Sequence, residues 1–346
     1  MKSSSGSPTP MLHQACRESG TTGYAAGMTR ALALAALLLQ PAVAQTPPEL
    51  PGSAVEPAPS AEAPPTEEVI VAAPEPRYVA PTLRDRIGRV WAPVYVNGEG
   101  PLRLVLDTGA TNSAVTAEAA ARLGLPLEGA NTVLLRGMTG EARVPFVEVG
   151  SLGIGDLSIE PARVLVVQDA FGGAEGVLAA RGLSNRRILI EFRKDRIEIA
   201  RSKNLRAPPG FTTLPIRLIR GHVPTVQAIV GNTPVRAIID TGAQQTTGNL
   251  ALRELLLERR RLEEKADKLI GVTGDIQEGP TSRVPPIYLG NVKVTNAHIT
   301  FIDLYIFKYW RLTDEPAIML GMDVLGVLDT LILDYRRHEM QIKLVR

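Results

Sequence analysis

Short apolar stretches separated by turn residues recur over most of the chain, and this spacing is typical of β-strands. The first clear pair is a strand over residues 90–96, a turn at Asn97 and Gly98, and a return strand over residues 102–106. Asn-Gly is a strong hairpin signal because both residues accept a positive φ. We therefore predict a mainly β protein whose first hairpin leads the chain into Asp107.

The same arrangement returns in the second half of the chain. Strands over residues 226–230 and 235–239 form a hairpin that ends at Asp240. A helix pattern follows each hairpin: a short helix over residues 116–124, with a threonine cap and a glycine stop, and a longer helix over residues 250–268. Further short strands follow in both halves. Each half is therefore predicted to be a small β domain with little helix.

The repeat is centred on the motif Asp-Thr-Gly-Ala, at residues 107–110 and 240–243. In both copies an apolar strand leads into the motif, and an arginine stands four residues before the aspartate. A Gly-x-Thr-Gly sequence ends 33 residues after Asp107 in one copy and 34 residues after Asp240 in the other. These matched points predict a duplication into two lobes related by a pseudo-twofold axis, with the two aspartates facing each other.

The combination of an apolar strand, Asp-Thr-Gly-Ala, a glycine-flanked hairpin and an apolar closing segment resembles the retropepsin-type aspartic proteases. The resemblance extends from about residue 84 to the C-terminus and implies two closed-barrel lobes in tandem, each with a short helix after the motif. The implied site consists of the catalytic pair Asp107 and Asp240, the interlocking threonines Thr108 and Thr241, and the supporting residues Gly109, Ala110, Gly242 and Ala243. The implied flap tips, which close over substrate, are Gly137, Met138, Thr139 and Gly140 in one copy and Gly271, Val272, Thr273 and Gly274 in the other.

The two copies differ at two places. The resemblance implies a glycine beneath each catalytic turn; copy two has Gly321 there, but copy one has Ala179. After the motif, residues 244–248 read Gln-Gln-Thr-Thr-Gly where residues 111–115 read Thr-Asn-Ser-Ala-Val. These differences predict that the two sides of the cleft are not equivalent.

Two carboxylates within hydrogen-bonding distance cannot both ionise easily, so one keeps a proton while the other stays charged. The charged member can take a proton from water, and the protonated member can polarise a peptide carbonyl. This chemistry needs no metal and no cofactor, and we expect neither. Ala110 and Ala243 lack a hydroxyl that would favour the ionised form, so we expect activity to extend toward mildly acidic or near-neutral pH.

The composition argues against several other classes of function. The net charge is only +2, from 38 basic and 36 acidic residues, and aromatic residues make up 4% of the chain. We therefore expect no nucleic-acid partner. The one cysteine, Cys16, and the four scattered histidines provide neither a disulfide framework nor metal-ligand spacing.

The N-terminal region resembles an export signal followed by a linker. A short basic start at Met28 precedes an apolar run over residues 31–39 and a small-residue cleavage pattern ending at Ala44. The run is too short to span a membrane, so cleavage after Ala44 predicts a periplasmic or secreted protein with no membrane span in the mature chain. Within the following linker, a strand over residues 69–72 is the less favoured alternative. The predicted organisation is a polar leader upstream of the true start (1–27), a signal peptide (28–44), a disordered Pro/Ala/Glu-rich linker (45–82), an N-terminal protease lobe (83–202), a linker (203–210) and a C-terminal protease lobe (211–346).

The sequence thus predicts an exported aspartic endopeptidase that cleaves protein or peptide substrates, with both aspartates in one cleft of a monomer. Two alternatives remain open. The active unit could be a homodimer in which each lobe pairs with the same lobe of another chain. The unequal lobes also fit a catalytically degenerate peptide-binding or scaffolding protein of the cell envelope.

Overall fold

The structure, a computed structural model, describes residues 69–72, 89, 91–154, 157–169, 171–183, 185–194, 196–259, 263–270, 273 and 275–344. The predicted leader and signal peptide lie outside the described residues, as does the predicted linker apart from residues 69–72. We call residues 91–201 lobe 1 and residues 212–344 lobe 2. The exact domain boundaries remain predictions.

The strands and helices follow one another along the chain in two similar series. Strand β1 (Val69–Ala72) precedes both lobes. Lobe 1 contains β2 (Trp91–Val96), β3 (Glu99–Asp107), β4 (Ala114–Thr116), α1 (Ala117–Arg122), β5 (Thr132–Arg136), β6 (Glu141–Val149), β7 (Leu152–Ile154), β8 (Leu157–Ile159), β9 (Ala162–Val167), β10 (Gly176–Ala179), β11 (Arg186–Glu191) and β12 (Arg196–Arg201), with 3₁₀ turns at Ala180–Leu183 and Phe192–Lys194. Lobe 2 contains β13 (Thr212–Pro215), β14 (Arg217–Ile219), β15 (Val223–Val230), β16 (Thr233–Ile239), β17 (Thr247–Gly248), α2 (Leu250–Arg259), β18 (Glu264–Ile270), β19 (Ile276–Arg283), β20 (Ile287–Leu289), β21 (Val292–Thr295), β22 (His298–Phe301), α3 (Tyr305–Trp310), β23 (Ala317–Leu320), α4 (Met322–Leu325), β24 (Thr330–Asp334) and β25 (Glu339–Lys343).

The internal repeat is visible in the order of the strands. The sheet of lobe 1 runs β5-β6-β9-β4-β10-β3-β2-β7-β8. The sheet of lobe 2 runs β18-β19-β22-β17-β23-β16-β15-β20-β21, followed by β1, with β14 added beside β15. Every strand of the lobe 1 sheet thus has a counterpart at the same place in lobe 2. The prediction of a mainly β protein with a duplicated unit is confirmed.

The prediction of closed barrels is wrong, because in the described residues the sheets of both lobes are open. In lobe 1, β5 and β8 are the two ends of the sheet and do not pair with each other. The reason is that the end strands form hairpins: β5 pairs with β6 in lobe 1, and β18 pairs with β19 in lobe 2. The tips of these hairpins contact each other, as described below. β5 and β18 therefore pair within their own hairpins and do not pair with the opposite ends of their sheets.

A third sheet joins the lobes, with the order β12-β11-β24-β25-β13. At its centre β11 of lobe 1 pairs antiparallel with β24 of lobe 2, which places Ile188 opposite Leu333 and Ile190 opposite Leu331. All four side chains are buried. Burying an aliphatic side chain of this size contributes roughly 1.5–3 kcal/mol. The two lobes are therefore held against each other by backbone hydrogen bonds and by a shared apolar core.

The strands that lead into the two motifs are central strands of their sheets. β3 lies between β2 and β10, and β16 lies between β15 and β23. Residues 104–106 and 237–239 are buried at every position. A central strand covered on both faces requires an unbroken apolar run instead of an alternating one. These runs fix the depth and direction at which each aspartate emerges from its sheet.

The two predicted helices differ in outcome. α1 begins after Thr116, whose hydroxyl accepts a hydrogen bond from Ala119 N, and it is followed by Gly124 with φ +61°, so its cap and stop are confirmed. The helix predicted over residues 250–268 is wrong in its second half: α2 ends at Arg259, and residues 264–270 form β18. β18 pairs with β19 along its whole length. This pairing overrides the local helical preference.

A strand was the less favoured prediction for residues 69–72, and the structure shows that strand as β1. It adds to the edge of the lobe 2 sheet, parallel to β21, with Val69 opposite Val292 and Ala72 opposite Thr295. These four residues are therefore not part of a disordered linker. None of the helices in the described residues is long and apolar enough to cross a membrane.

Candidate active site

Each motif aspartate is held by the backbone of its own loop. In lobe 1, Gly109 N and Ala110 N donate hydrogen bonds to Asp107 Oδ1 at 2.8 and 2.9 Å. In lobe 2, the matching amides, two and three residues after Asp240, donate to Asp240 Oδ1 at 2.9 and 3.1 Å. Each loop thus orients its carboxylate through one oxygen. The second oxygen of each carboxylate, Oδ2, lies toward the opposite lobe.

The glycines of the motifs show how closely the lobes approach. A Cβ atom placed on Gly109 would lie 2.7 Å from Asp240 Oδ2, and a Cβ atom placed on Gly242 would lie 2.4 Å from Asp107 Oδ2. Each glycine therefore packs against the carboxylate of the other lobe. No larger residue fits in either place without displacing that carboxylate. The structure brings Asp107 and Asp240 together in one site within a single chain.

The threonines of the two motifs interlock across the lobe boundary. Thr108 Oγ1 donates to Ile239 O at 2.6 Å, and Thr241 Oγ1 donates to Leu106 O at 2.6 Å. In return, Thr241 N donates to Thr108 Oγ1 at 3.1 Å and Thr108 N donates to Thr241 Oγ1 at 3.2 Å. Both side chains are buried. This reciprocal network fixes the separation of the two loops beneath the aspartates.

Burial controls the electrostatics of the pair. Asp240 is 7% exposed, whereas Asp107 is half-buried. Burial raises the pKa of Asp107, although the hydrogen bonds from Gly109 and Ala110 oppose the shift. Burial and the negative charge of Asp107 together raise the pKa of Asp240 well above its usual range. These directions favour a pair that shares one proton, with Asp107 as the member that ionises more readily.

A hydroxyl six residues after each aspartate ties the motif loop to the neighbouring strand, a feature that was not predicted from the sequence. Ser113 Oγ accepts from Ala179 N, and Thr246 Oγ1 accepts from Gly321 N, both at 3.1 Å. The sequence contained a signal for this pair, because Ser113 and Thr246 occupy matching positions in the repeat.

The structure also explains why copy one needs no glycine at Ala179. At the matching position in copy two, a Cβ on Gly321 would lie 2.7 Å from the backbone carbonyl of Gln245, so this position requires a glycine.

Lobe 2 adds a buried carboxylate to this network. Asp323 accepts hydrogen bonds from Thr246 N at 3.0 Å and from Thr246 Oγ1 at 2.7 Å. Arg181 occupies the matching position in lobe 1, where the side chain is exposed. Burial raises the pKa of Asp323 from 3.8 to about 6. The predicted inequality of the two lobes is thus present in the layer that supports the aspartates.

We predict that Asp323 makes the stability of the fold pH-dependent. Because its pKa is raised on folding, its protonated form stabilises the protein below about pH 4, and this contribution is lost as the pH rises through about 6. The loss amounts to roughly 3 kcal/mol at most. Asp323→Asn, measured by urea unfolding between pH 4 and pH 7, should remove this part of the pH dependence. An Asn variant with the same pH slope as the wild type would contradict the prediction.

The first flap tip contacts the second flap tip and the strand that follows it. Gly137 N donates to Gly140 O at 2.8 Å, which closes the turn between β5 and β6. Thr139 Oγ1 lies 3.4 Å from Thr273 Oγ1, and Thr139 O accepts from Gln277 Nε2 at 3.0 Å. Of the predicted second flap tip, Thr273 is described. Gly271, Val272 and Gly274 lie outside the described residues.

A histidine at the lobe boundary was not predicted as a site residue. His222 Nε2 lies 2.9 Å from Thr111 Oγ1, four residues after Asp107, and His222 Nδ1 lies 2.9 Å from Arg220 O. Burial lowers the pKa of His222. The neutral ring therefore joins lobe 2 to the first catalytic loop by a hydrogen bond. Within the described residues, no three His, Cys, Asp or Glu side chains form a potential metal site.

Two acidic loops that interlock through their threonines, in a protein with two hairpin flaps whose tips touch, are the arrangement of an aspartic protease site. Comparison with protein families agrees with this geometry: the model of a family described as aspartyl protease matches residues 92–182 and 226–324, once in each lobe. The two matches cover more than half of the 346 residues, so the chain belongs to the aspartyl protease family. A search of curated proteins found no match to the chain. Membership of this family implies that the substrate is a protein.

Proposed function

We propose that the protein is an aspartic endopeptidase that hydrolyses peptide bonds by means of a water molecule activated between Asp107 and Asp240. The observation that carries the proposal is the reciprocal contact between the two motif loops. Each carboxylate is oriented by two amides of its own loop and packs against the glycine of the other loop. This arrangement supplies one charged and one protonated carboxyl group at a single point.

The proposed mechanism assigns a different role to each aspartate. Charged Asp107 takes a proton from the bound water, whose oxygen then attacks the carbonyl carbon of the substrate. Asp240 gives its proton to the carbonyl oxygen, which forms a neutral tetrahedral intermediate. When the C–N bond breaks, the proton on Asp107 passes to the leaving nitrogen and one hydroxyl proton returns to Asp240. The products are a carboxylic acid and an amine, and both carboxyl groups regain their starting states.

One chain provides both aspartates, which supports a monomeric protease over an enzyme that works only as a two-chain dimer. The five-stranded sheet between the lobes is also formed within the chain. The degenerate scaffold is less well supported, because both loops keep their aspartate, threonine and glycine in matching contacts. Cleavage of a peptide library, together with a mass measurement in solution, tests these proposals. Cleavage by a monomer supports the first, whereas peptide binding without cleavage supports the scaffold.

We also propose that the protein is exported, by cleavage of a signal peptide after Ala44, to the periplasm or the outside of the cell. The support is the basic start at Met28, the short apolar run and the small residues before the cleavage point. Sequencing the N-terminus of the protein purified from its native source tests this proposal. A first residue other than Gln45 would contradict the cleavage position.

The titration of the aspartate pair predicts the pH dependence of cleavage. The acidic limb of the kcat/KM profile should report formation of the charged member, and the basic limb should report loss of the shared proton. Because burial raises the pKa of both groups, each limb should lie above the usual pKa of an aspartate, 3.8. We therefore expect a bell-shaped profile that extends into the mildly acidic range, measured with one peptide across the pH scale. Activity restricted to pH values below 4 would contradict this prediction.

A further inference from the structure

Helix α3 is present in lobe 2 and has no counterpart in the described residues of the matching connection of lobe 1. β9 and β10 of lobe 1 are joined by residues 168–175, whose described members form no helix, whereas β22 and β23 of lobe 2 are joined by the longer stretch 302–316, which contains α3. Asn249 anchors the end of this stretch, since its Nδ2 donates to Leu312 O at 2.6 Å and to Glu315 O at 2.7 Å. Phe307 of α3 is fully buried. The helix is therefore a fixed part of lobe 2.

The exposed side of α3 contacts the tip of the first flap, residues 136–141, which we call flap 1. Tyr305 Oη donates to Glu141 Oε2 at 2.6 Å. The Arg136 guanidinium carbon lies 4.9 Å from the centroid of the Tyr309 ring, within the range of a cation–π contact. Met138 packs against the apolar cluster that α3 helps to form. Both ends and the centre of flap 1 thus touch one helix of the other lobe.

The backbone of flap 1 also completes the start of α3. Leu304 precedes the helix and gives it no side-chain cap. The first amides of a helix have no partner within the helix. Ile306 N, in this first turn, donates instead to Met138 O of flap 1 at 3.4 Å. The flap therefore supplies an acceptor that the helix itself lacks, so flap and helix order each other.

We propose that α3 is a clamp that holds flap 1 closed before substrate is present, with Tyr305 as the positioning residue. Ala243 belongs to the apolar cluster against which Met138 packs, so the clamp holds the flap tip against the cluster that includes part of the Asp240 loop. The matching stretch of lobe 1, residues 168–175, supplies no such helix in its described part. Opening of the cleft over lobe 2 must therefore break the contacts of α3. The kinetic part of this inference rests on the proposed function, but the structural part does not.

Hydrogen exchange of the Ile306 amide tests the clamp directly, because this amide is protected by the flap and not by the helix. Tyr305→Phe removes only the hydroxyl, which binds Glu141 and also interacts with Arg136 of flap 1, and it should speed exchange of the Ile306 amide roughly threefold to tenfold. Glu141→Ala, which also removes the ion pair with Arg136, should have at least as large an effect, and Glu141→Gln, which keeps an acceptor oxygen, should have a smaller one. Tyr288→Phe, which removes a phenol from β20 of the same lobe, is the matched control and should leave the rate unchanged. Equal exchange in the wild type and in both clamp variants would overturn the proposal.

Kinetics separate failure of the clamp from failure of the proposed function. With a cleaved peptide, Tyr305→Phe should raise KM roughly threefold to tenfold and change kcat by less than about twofold, because the closed flap that holds substrate and transition state alike is destabilised equally in both complexes. The Tyr305→Phe/Glu141→Ala double variant should lose less than the sum of the single variants, since both remove the Tyr305–Glu141 hydrogen bond. Faster exchange in a protein that cleaves no peptide would support the clamp and contradict the protease. Normal exchange with normal cleavage would support the protease and overturn the clamp.

Discussion

Replacing either Asp107 or Asp240 by Asn should lower kcat/KM for peptide cleavage by at least about a thousandfold, which is within the range lost when a general acid or base is removed. Asn has nearly the same shape, and its carbonyl oxygen can still accept hydrogen bonds from the two loop amides. It can neither take a proton from water nor give one to the substrate. The loss should therefore appear in kcat, measured under single-turnover conditions with a peptide from the library.

The same substitutions should not destabilise the fold. Burial disfavours charge at this site and raises the pKa of both aspartates, so a neutral amide removes an unfavourable term. We expect Tm to stay the same or to rise in both variants. Asp314→Asn, at an exposed position in the connection after α3, is the matched control and should keep full activity. Full cleavage by the Asp240→Asn variant would show that the two lobes do not share one site.

Gly242→Ala is expected to have the second-largest effect on cleavage. The new methyl group would lie 2.4 Å from Asp107 Oδ2, so the Asp107 carboxylate or the Asp240 loop must move. A displacement of this kind, about 1 Å, costs about a hundredfold in rate when it separates groups that must act together. The reciprocal variant Gly109→Ala should lose less, because its methyl group would lie 2.7 Å from Asp240 Oδ2.

The experiment compares kcat/KM and Tm of the two variants with those of Gly153→Ala. Gly153 lies in β7, and a Cβ there would lie 3.6 Å from Tyr95 Cβ, an ordinary van der Waals distance. This control should keep its activity. If Gly242→Ala cleaves as fast as the wild type, then the close approach of the two loops is not needed for catalysis.

Several elements could be predicted because their causes are local. The hairpin turn at Asn97 and Gly98 has positive φ at both residues, and Thr116 caps α1 as its position before the helix predicts. The apolar runs before Asp107 and Asp240 identified the two central strands. These features depend on residues within a few positions of one another. The amino-acid sequence therefore specifies them without knowledge of the rest of the fold.

Other elements could not be predicted because distant pairing decides them. Residues 264–268 have a composition that suits a helix, yet they form part of β18 because β19 pairs with them. The segment Gly176–Ala179 becomes a strand through parallel pairing with β3, which places Ala179 beside Asp107. Helix α3 lies in a stretch with no polar cap at its start and completes its first turn with a flap carbonyl. In each case the deciding partner is far away in the sequence.

The sequence by itself determined the local form of the site: two copies of Asp-Thr-Gly-Ala, each at the end of an apolar strand, with the two amides that bind each aspartate lying only two and three residues beyond it. The tertiary structure decided how the copies meet, because Thr108 and Thr241 contact residues 131 and 135 positions away. It also decided that the sheets stay open in the part of the chain that the structure describes, and that helix α3 of lobe 2 contacts flap 1 of lobe 1. Local hydrogen bonds follow from backbone conformation and neighbouring side chains, whereas contacts between lobes depend on the packing of both complete sheets.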